Sequence, residues 1–339
     1  MECIGHSFPY VRPRRTQPLP AVSAWGAHMK KPVRSNPHSA VAPLAVRCCA
    51  WPGNGSGERV GVGTDVLKSD NDWMEEIGME FRPCIDIHNG KVKQIVGGSL
   101  RDEQDQAREN FVSEQDAGFY ARFYRARGLR GGHIVLLNKK GSRFYEETRR
   151  QALLALSEYP GGLQVGGGIC RENAGEYLEA GASHVIVTSY VFRDGKVDWD
   201  NLRKLQAETG KEHLVLDLSC RRKEEAYYIV TDRWQKFTDV VLTKEVLTEL
   251  SRYCAEFLVH AVDAEGKAQG IEEPLVSLLG AWDGIPITYA GGVGNFSDLR
   301  KLKDLGKGRL NVTIGSALDL FGGTMNYEEV VKFVAESPK

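Results

Sequence analysis

At 339 residues, with 42% hydrophobic and 26% charged side chains, the chain is long enough to bury one large core or two ordinary ones, and its composition is that of a globular protein. Its formal net charge of −1 is unevenly spread: residues 1–57 hold seven Lys and Arg against one acid, Glu2, which leaves 37 bases and 44 acids, a net −7, in the remainder. An acidic body of this kind excludes a broad nucleic-acid-binding face, and seven cysteines with no C-x-x-C pair exclude a zinc ribbon or a disulfide framework.

Eight of the 13 prolines lie in the first 52 residues, where neither a helical nor a strand period is sustained. That stretch is basic, poor in acids and without a long apolar run. Residues 1–60 therefore read as a disordered leader carrying an organelle transit peptide, cut between residues 45 and 65. Its proline content and weak amphipathicity favour the plastid over the mitochondrion, which makes the chloroplast stroma the expected location.

From residue 80 onward, short apolar runs alternate with amphipathic stretches. The runs predict strands at 83–87, 133–138, 163–166, 184–188, 213–218, 256–262, 286–290 and 310–314. Between them, Glu172–Ala180, Asn201–Thr209, Lys244–Tyr253 and Asp298–Leu305 repeat their apolar residues at spacings of three and four, as helices do. Eight βα units in this length predict a TIM (β/α)₈ barrel spanning residues 78–335, since such barrels take about 250 residues. An open doubly wound sheet fits less well, because no G-x-G-x-x-G follows the first strand.

A phosphate-binding pattern is written twice. Gly166-Gly167-Gly168-Ile169 is followed by a strand ending in Thr188-Ser189, and Ala290-Gly291-Gly292-Val293 by one ending in Gly315-Ser316. Glycines just past a strand let backbone N–H groups approach an anion, and the next helix start adds partial positive charge. The offsets between the two copies are nearly constant: 124 from Gly168 to Gly292, 127 from Ser189 to Ser316, 125 from Gly141 to Gly266, and 131 from Asp86 to Asp217. The barrel thus reads as two fused half-barrels, with the grips across its mouth from each other and a ligand carrying two phosphates spanning it.

Asp86 and Asp217 end the first and fifth strands, so both carboxylates are expected at the C-terminal, active-site face. One protonated and one ionised carboxyl could give and take protons on one substrate. Asp263, just before Gly266, either orients the ligand or caps its turn. Arg221, Arg222 and Trp234 fall in the long charged segment after strand five, where a guanidinium could meet a phosphate and an indole could stack on a heterocycle. His260 reads as a core histidine, Cys84 as a small buried hydrophobe, and Lys91 and Lys93 as surface charges.

Taken together, Pro83–Val92, Gln164–Ile169, Asp217, His260–Gly266 and Ala290–Gly294 resemble the phosphoribosylformimino-aminoimidazole carboxamide ribotide isomerases of histidine biosynthesis, in their eukaryotic form. The resemblance covers about residues 80–325. It implies an aldose–ketose isomerase acting by Amadori rearrangement on a substrate with a phosphate at each end, with Asp217 as general acid and Asp86 as general base. It also implies no metal or organic cofactor, no nucleic-acid or membrane partner, and a monomer. The residue types alone leave open which aspartate is acid and which base. Two departures stand out, Asn138 where many relatives carry Asp and Ala261 where bacterial forms carry Thr. The cyclase of imidazole glycerol phosphate synthase and a non-catalytic phosphosugar-binding barrel share the grips and remain the alternatives.

Overall fold

A computed structural model describes residues 78–96, 99–100 and 107–336; the leader expected at 1–60 lies outside them. Eight parallel strands form the frame: β1 (Cys84–His88), β2 (Gly132–Leu136), β3 (Leu163–Gly166), β4 (His184–Val187), β5 (Leu214–Asp217), β6 (Glu256–His260), β7 (Ile287–Ala290) and β8 (Leu310–Thr313). Each pairs with its successor in register. The ring closes where Phe81 bridges Val312: Arg82 N donates to Val312 O at 2.8 Å, and Val312 N donates to Glu80 O at 2.9 Å. All eight expected strands occur, with ends one or two residues from the sequence reading.

Eight helices pack outside: α1 (Ala117–Ala126), α2 (Tyr145–Glu158), α3 (Arg171–Glu179), α4 (Trp199–Thr209), α5 (Lys244–Leu250), α6 (Glu273–Gly280), α7 (Phe296–Leu305) and α8 (Tyr327–Ala335). Their starts are fixed by side chains that accept from orphan N–H groups, including Asp116, Asp198, Thr243, Asn295 and Asn326. The outward faces of the strands, such as Ile85, Ile87, Leu214 and Leu216, join the helices in one continuous apolar core.

The barrel interior is different. Alternation along each strand turns His133, Gln164, Glu256, Thr288, Asn311 and Thr313 inward, all of them buried, and Ile186, Val215 and Leu258 form an apolar patch there. The polar lining works on the seam. Asn311 Oδ1 accepts from Glu80 N at 3.0 Å, and Thr313 Oγ1 donates to Arg82 O at 2.8 Å. Glu256 gathers the floor of the barrel, accepting from Gln164 Nε2 at 2.8 Å, from Thr288 Oγ1 at 2.5 Å and from Arg82 Nη1 at 3.3 Å.

Three antiparallel additions decorate the frame. Lys91–Ile95 pairs antiparallel with β1 and with Glu109–Val112. Lys91 is exposed, but Lys93, expected at the surface, is buried and paired with Glu109 across that hairpin. Phe192–Arg193 pairs with Lys196–Val197 after β4. The charged segment after β5, which reads as a loop, is a three-stranded antiparallel sheet of Cys220–Lys223, Ala226–Thr231 and Lys236–Val241. Its middle strand, Ala-Tyr-Tyr-Ile-Val-Thr, is aromatic and β-branched, the composition a pleated half-buried surface favours.

Replacing Glu256 by Ala would leave the Arg82 guanidinium, Gln164 and Thr288 without their common acceptor inside the barrel. Arg82 would keep its pair with Glu80, so the expected outcome is a loss of roughly 1–3 kcal/mol of stability, read from urea unfolding, the cost of leaving buried polar groups unsatisfied. An unchanged unfolding midpoint would show that the floor network is dispensable.

Candidate active site

The two grips share one backbone design. Gly167 and Gly291 have φ of 103° and 118°, and Gly168 and Gly292 have φ of 73° and 81°, all in the left-handed region open to glycine. A Cβ on Gly167 would collide with the Leu136 carbonyl at the end of β2, and one on Gly291 would lie 2.8 Å from the Ala261 carbonyl just past β6. Leu136 and Ala261 are themselves equivalent in the two halves. The third residue of the following helix reaches back in each: Asn173 Oδ1 accepts from the N-cap Cys170 N at 2.8 Å, and Asp298 Oδ2 from Gly294 N, just before the N-cap Asn295, at 3.0 Å. Matching dihedrals and matching close approaches mark both grips as copies of one local structure.

Each grip borders its own cavity. The larger, about 710 Å³, is lined by Gly167, Gly168, Thr188, Ser189, Asp86, Asp217 and Trp234. The smaller is lined by Gly266, Gly291, Gly292, Gly315 and Ser316. Asp86, His260 and Glu265 line both, so the two cavities meet at one acidic wall. The larger lies within the range of about 300–1,000 Å³ typical of small-molecule sites.

Not every expected residue reaches this space. Arg222 Nη2 pairs with Glu225 at 3.2 Å on the outer sheet and lines neither cavity. Asp263 Oδ1 accepts from Arg221 Nε at 2.8 Å, and Asp263 is likewise absent from both linings. The guanidinium on the larger cavity is Arg233, accompanied by Lys139 and Lys140. Arg233 sits in a turn where Asp232, Arg233 and Trp234 all have positive φ, 51°, 57° and 67°. Three consecutive non-glycine residues in that region are strained, and contacts hold them there. Asp232 N donates to Ser189 Oγ at 3.1 Å, Gln235 Nε2 to Leu100 O at 3.1 Å, and the Trp234 ring lies 5.5 Å from that of His260.

The two aspartates sit in opposite electrostatic settings. Burial, followed by the nearby charge of Glu265, pushes Asp86 up to about 7. Asp217 is also buried, yet the His260 ring 3.8 Å away and the hydrogen bonds from Ser219 outweigh burial and hold it below the usual carboxylate range. Ser219 N and Oγ both donate to Oδ1, at 2.8 and 2.5 Å, and Thr188 Oγ1 donates to Oδ2 at 3.0 Å. Glu265 is itself raised, first by burial. Near neutral pH the site therefore contains an ionised Asp217 and an Asp86 poised between its two forms, the separation that acid–base chemistry uses.

His260, Glu265 and Arg233 were not expected to face this space. The signal for His260 lay in the strand period, since Glu256, Leu258 and His260 share the inward face of β6. For Glu265 and Arg233 the turns decide, and no spacing rule gives their direction. Cys84 Sγ, an Asp86 oxygen and a His133 nitrogen lie within 4.8 Å of one another. Burial pushes the Cys84 thiol well above its ordinary value, so it stays protonated, and the protonated thiol is a poor metal ligand.

Because Glu265 raises Asp86, the Glu265→Gln variant should titrate Asp86 below about 7. Carbon NMR of the aspartate carboxyls across pH 4–9 measures this; an Asp86 midpoint that stays in place would remove Glu265 from the site's electrostatics.

Residues 80–325 match the family described as histidine biosynthesis protein. The chain is 52% identical over 260 residues, 76% of its own length and 82% of the relative's, to the chloroplastic 1-(5-phosphoribosyl)-5-((5-phosphoribosylamino)methylideneamino) imidazole-4-carboxamide isomerase of Medicago truncatula. It is 46% identical to the isomerase of the same description from Neurospora crassa, covering 72% of the chain and 93% of the relative. It is 42% identical to that of Saccharomyces cerevisiae, covering 73% and 94%. A doubled glycine turn on a closed eightfold barrel, with similarity that runs through nearly all of it, makes the conclusion plain: the chain belongs to the histidine biosynthesis protein family.

Proposed function

We propose that the chain is the aldose–ketose isomerase of histidine biosynthesis, which converts N-(5-phosphoribosyl)formimino-5-aminoimidazole-4-carboxamide ribonucleotide to its phosphoribulosyl isomer. The observation that carries this reading is the pair of equivalent grips, in cavities that meet at a wall of carboxyl groups. A substrate with a phosphate at each end has its middle at that wall. Isomerases of this description from plant and fungal species are 40–52% identical to the chain.

In this reading Asp217 protonates the ring oxygen of the phosphoribosylamine and the ring opens to a Schiff base. Asp86 then takes the C2 proton, and the electron pair moves into the imine to give an enolamine. Loss of the C2 hydroxyl proton and delivery of a proton to C1 complete the ketose. Two protons are given and two are taken, so the site returns to its starting state. The substrate's own imine is the electron sink, and the route calls for no metal or organic cofactor. Asp86 at about 7 suits a general base, because efficiency is greatest when the pKa lies near the working pH. Gly167, Gly168, Thr188 and Ser189 hold one phosphate with help from Arg233, and Gly291, Gly292, Gly315 and Ser316 hold the other. Trp234 offers the imidazole carboxamide an aromatic face.

The ligand is a small bis-phosphorylated molecule, and the acting unit is a monomer made of residues 78–335, with residues 1–60 serving as a plastid transit peptide. The leader's composition and the chloroplastic Medicago relative support that location. No helix among the described residues is long and apolar enough to cross a membrane.

Residues 60–339 should restore growth without histidine to an auxotroph lacking the isomerase. Asp86→Asn and Asp217→Asn should keep binding to the product while turnover falls by at least about 10²-fold, the usual scale of one general acid or base. Normal turnover in both variants would sink the mechanism, and release of imidazole glycerol phosphate from the ketose and ammonia would assign the cyclase reaction instead. Residues 1–60 fused to a fluorescent protein should carry it into isolated chloroplasts and be cleaved there; a fusion left outside and uncut rejects the transit peptide.

A further inference from the structure

His260 ends β6 on the wall common to both cavities. Its Nδ1 lies 3.1 Å from Ser219 Oγ and 3.8 Å from Asp217 Oδ1, and Ser219 Oγ donates to that same oxygen at 2.5 Å. The hydroxyl thus stands within hydrogen-bond reach of both the imidazole nitrogen and the carboxylate, which do not reach each other. The ring is fixed by the Trp234 indole at 5.5 Å and by the edge-on His133 ring at 5.8 Å. Its side chain is only 10% exposed, so bulk water has little access to the chain of bonds.

The titratable groups around the ring are Asp217 from β5, Asp86 from β1, Glu265 from the turn after β6, and His133 from β2. Burial, then the charge of His260 itself, pushes His133 down to about 3, so it stays neutral. Burial pulls His260 down as well, but the Asp217 carboxylate beside it and the charges of Glu265 and Asp86 outweigh it and raise it above its ordinary value. A proton is therefore available beside Asp217. Asp217 itself accepts three hydrogen bonds that favour its ionised form, and an ionised carboxylate has no proton to give.

We infer that His260 and Ser219 form a proton relay that loads Asp217, so that the proton given to the substrate's ring oxygen is stored on His260. The inference rests on the isomerase reading with Asp217 as acid. The step balances: the Nδ1 proton moves to Ser219 Oγ as the Ser219 hydroxyl proton moves to Asp217 Oδ1. The imidazolium becomes imidazole, the carboxylate becomes a carboxylic acid, and the acid then protonates the ring oxygen. When the C2 hydroxyl later loses its proton, the same three atoms run in reverse and refill the store. His260 acts through Asp217 and is a positioning residue, whereas Asp217 touches the substrate.

The test is the pH dependence of kcat and KM for the wild-type protein, His260→Asn, Ser219→Ala, Ser219→Thr and Asp217→Asn, with product binding as the check on folding. In the wild type, kcat should fall as pH rises through the His260 pKa, because the store empties. His260→Asn can still donate a hydrogen bond but cannot titrate; its kcat should drop about 10²-fold, with KM unchanged and the high-pH limb gone. Ser219→Ala should lose kcat to a similar degree, and Ser219→Thr, which restores a hydroxyl, should recover most of it. A His260→Asn protein that keeps wild-type kcat and the same high-pH limb, beside an inactive Asp217→Asn, overturns the relay alone. An active Asp217→Asn overturns the reading beneath it.

Discussion

Everything in this molecule depends on one closure, the pairing of Val312 with the segment Glu80–Arg82 that turns a row of strands into a ring. An open row would place the two glycine grips at different distances from an edge. A closed ring of eight sets strands three and four opposite seven and eight, and it points every inward side chain at a shared axis. The seam is therefore reinforced with unusual polarity. Asn311 and Thr313 satisfy its backbone, and Arg82, whose carbonyl takes part, sends its guanidinium to Glu256 in the barrel floor. Barrel interiors of this size are commonly filled with branched apolar residues. Here the interior combines an apolar patch of Ile186, Val215 and Leu258 with buried polar side chains that bond one another and the seam.

The polar groups at the barrel mouth explain how two aspartates in equivalent strands come to differ. Duplication alone would make Asp86 and Asp217 alike. Their neighbours break the equality: Asp217 is surrounded by donors, Ser219, Thr188 and His260, whereas Asp86 faces burial and the negative charge of Glu265. The shift between them arises less from the carboxylates' own positions than from which polar residues the second half added around its copy. His260 is the link, since its charge lowers both acids while their charges raise it.

The frame was legible because its signals are redundant. A run such as Leu214-Val215-Leu216 is buried on both faces, so it reads as a parallel strand without any period, and Gly167 and Gly291 stand where the chain leaves a strand and no side chain fits. The site was legible only in part. Both aspartates, both grips and Trp234 come to the cavities, but Arg222 and Asp263 do not, because Arg221 captures Asp263 and Glu225 holds Arg222 on the outer sheet. Arg233 takes the inward place through a left-handed turn that depends on Ser189 and Leu100, residues far away in sequence. The strand Ala226–Thr231 was hidden by the charged run before it, and its pairing with Lys236–Val241 is a tertiary fact. Local spacing says which residues sit on a strand, and it says little about which way a turn throws its side chains.

The two inserted sheets each follow the first strand of a half, after β1 and after β5, and they are unlike in size and charge. On a symmetric receptacle, a molecule with two phosphates would fit equally well either way round, and half of its arrivals would present the wrong carbon to each carboxyl. The hairpin after β1 brings Gln94 against Gly315, while the sheet after β5 brings Trp234 and Arg233 over the opposite cavity. The inserts give a twofold socket two unlike ends, so the barrel carries a direction that its repeated strands alone would not.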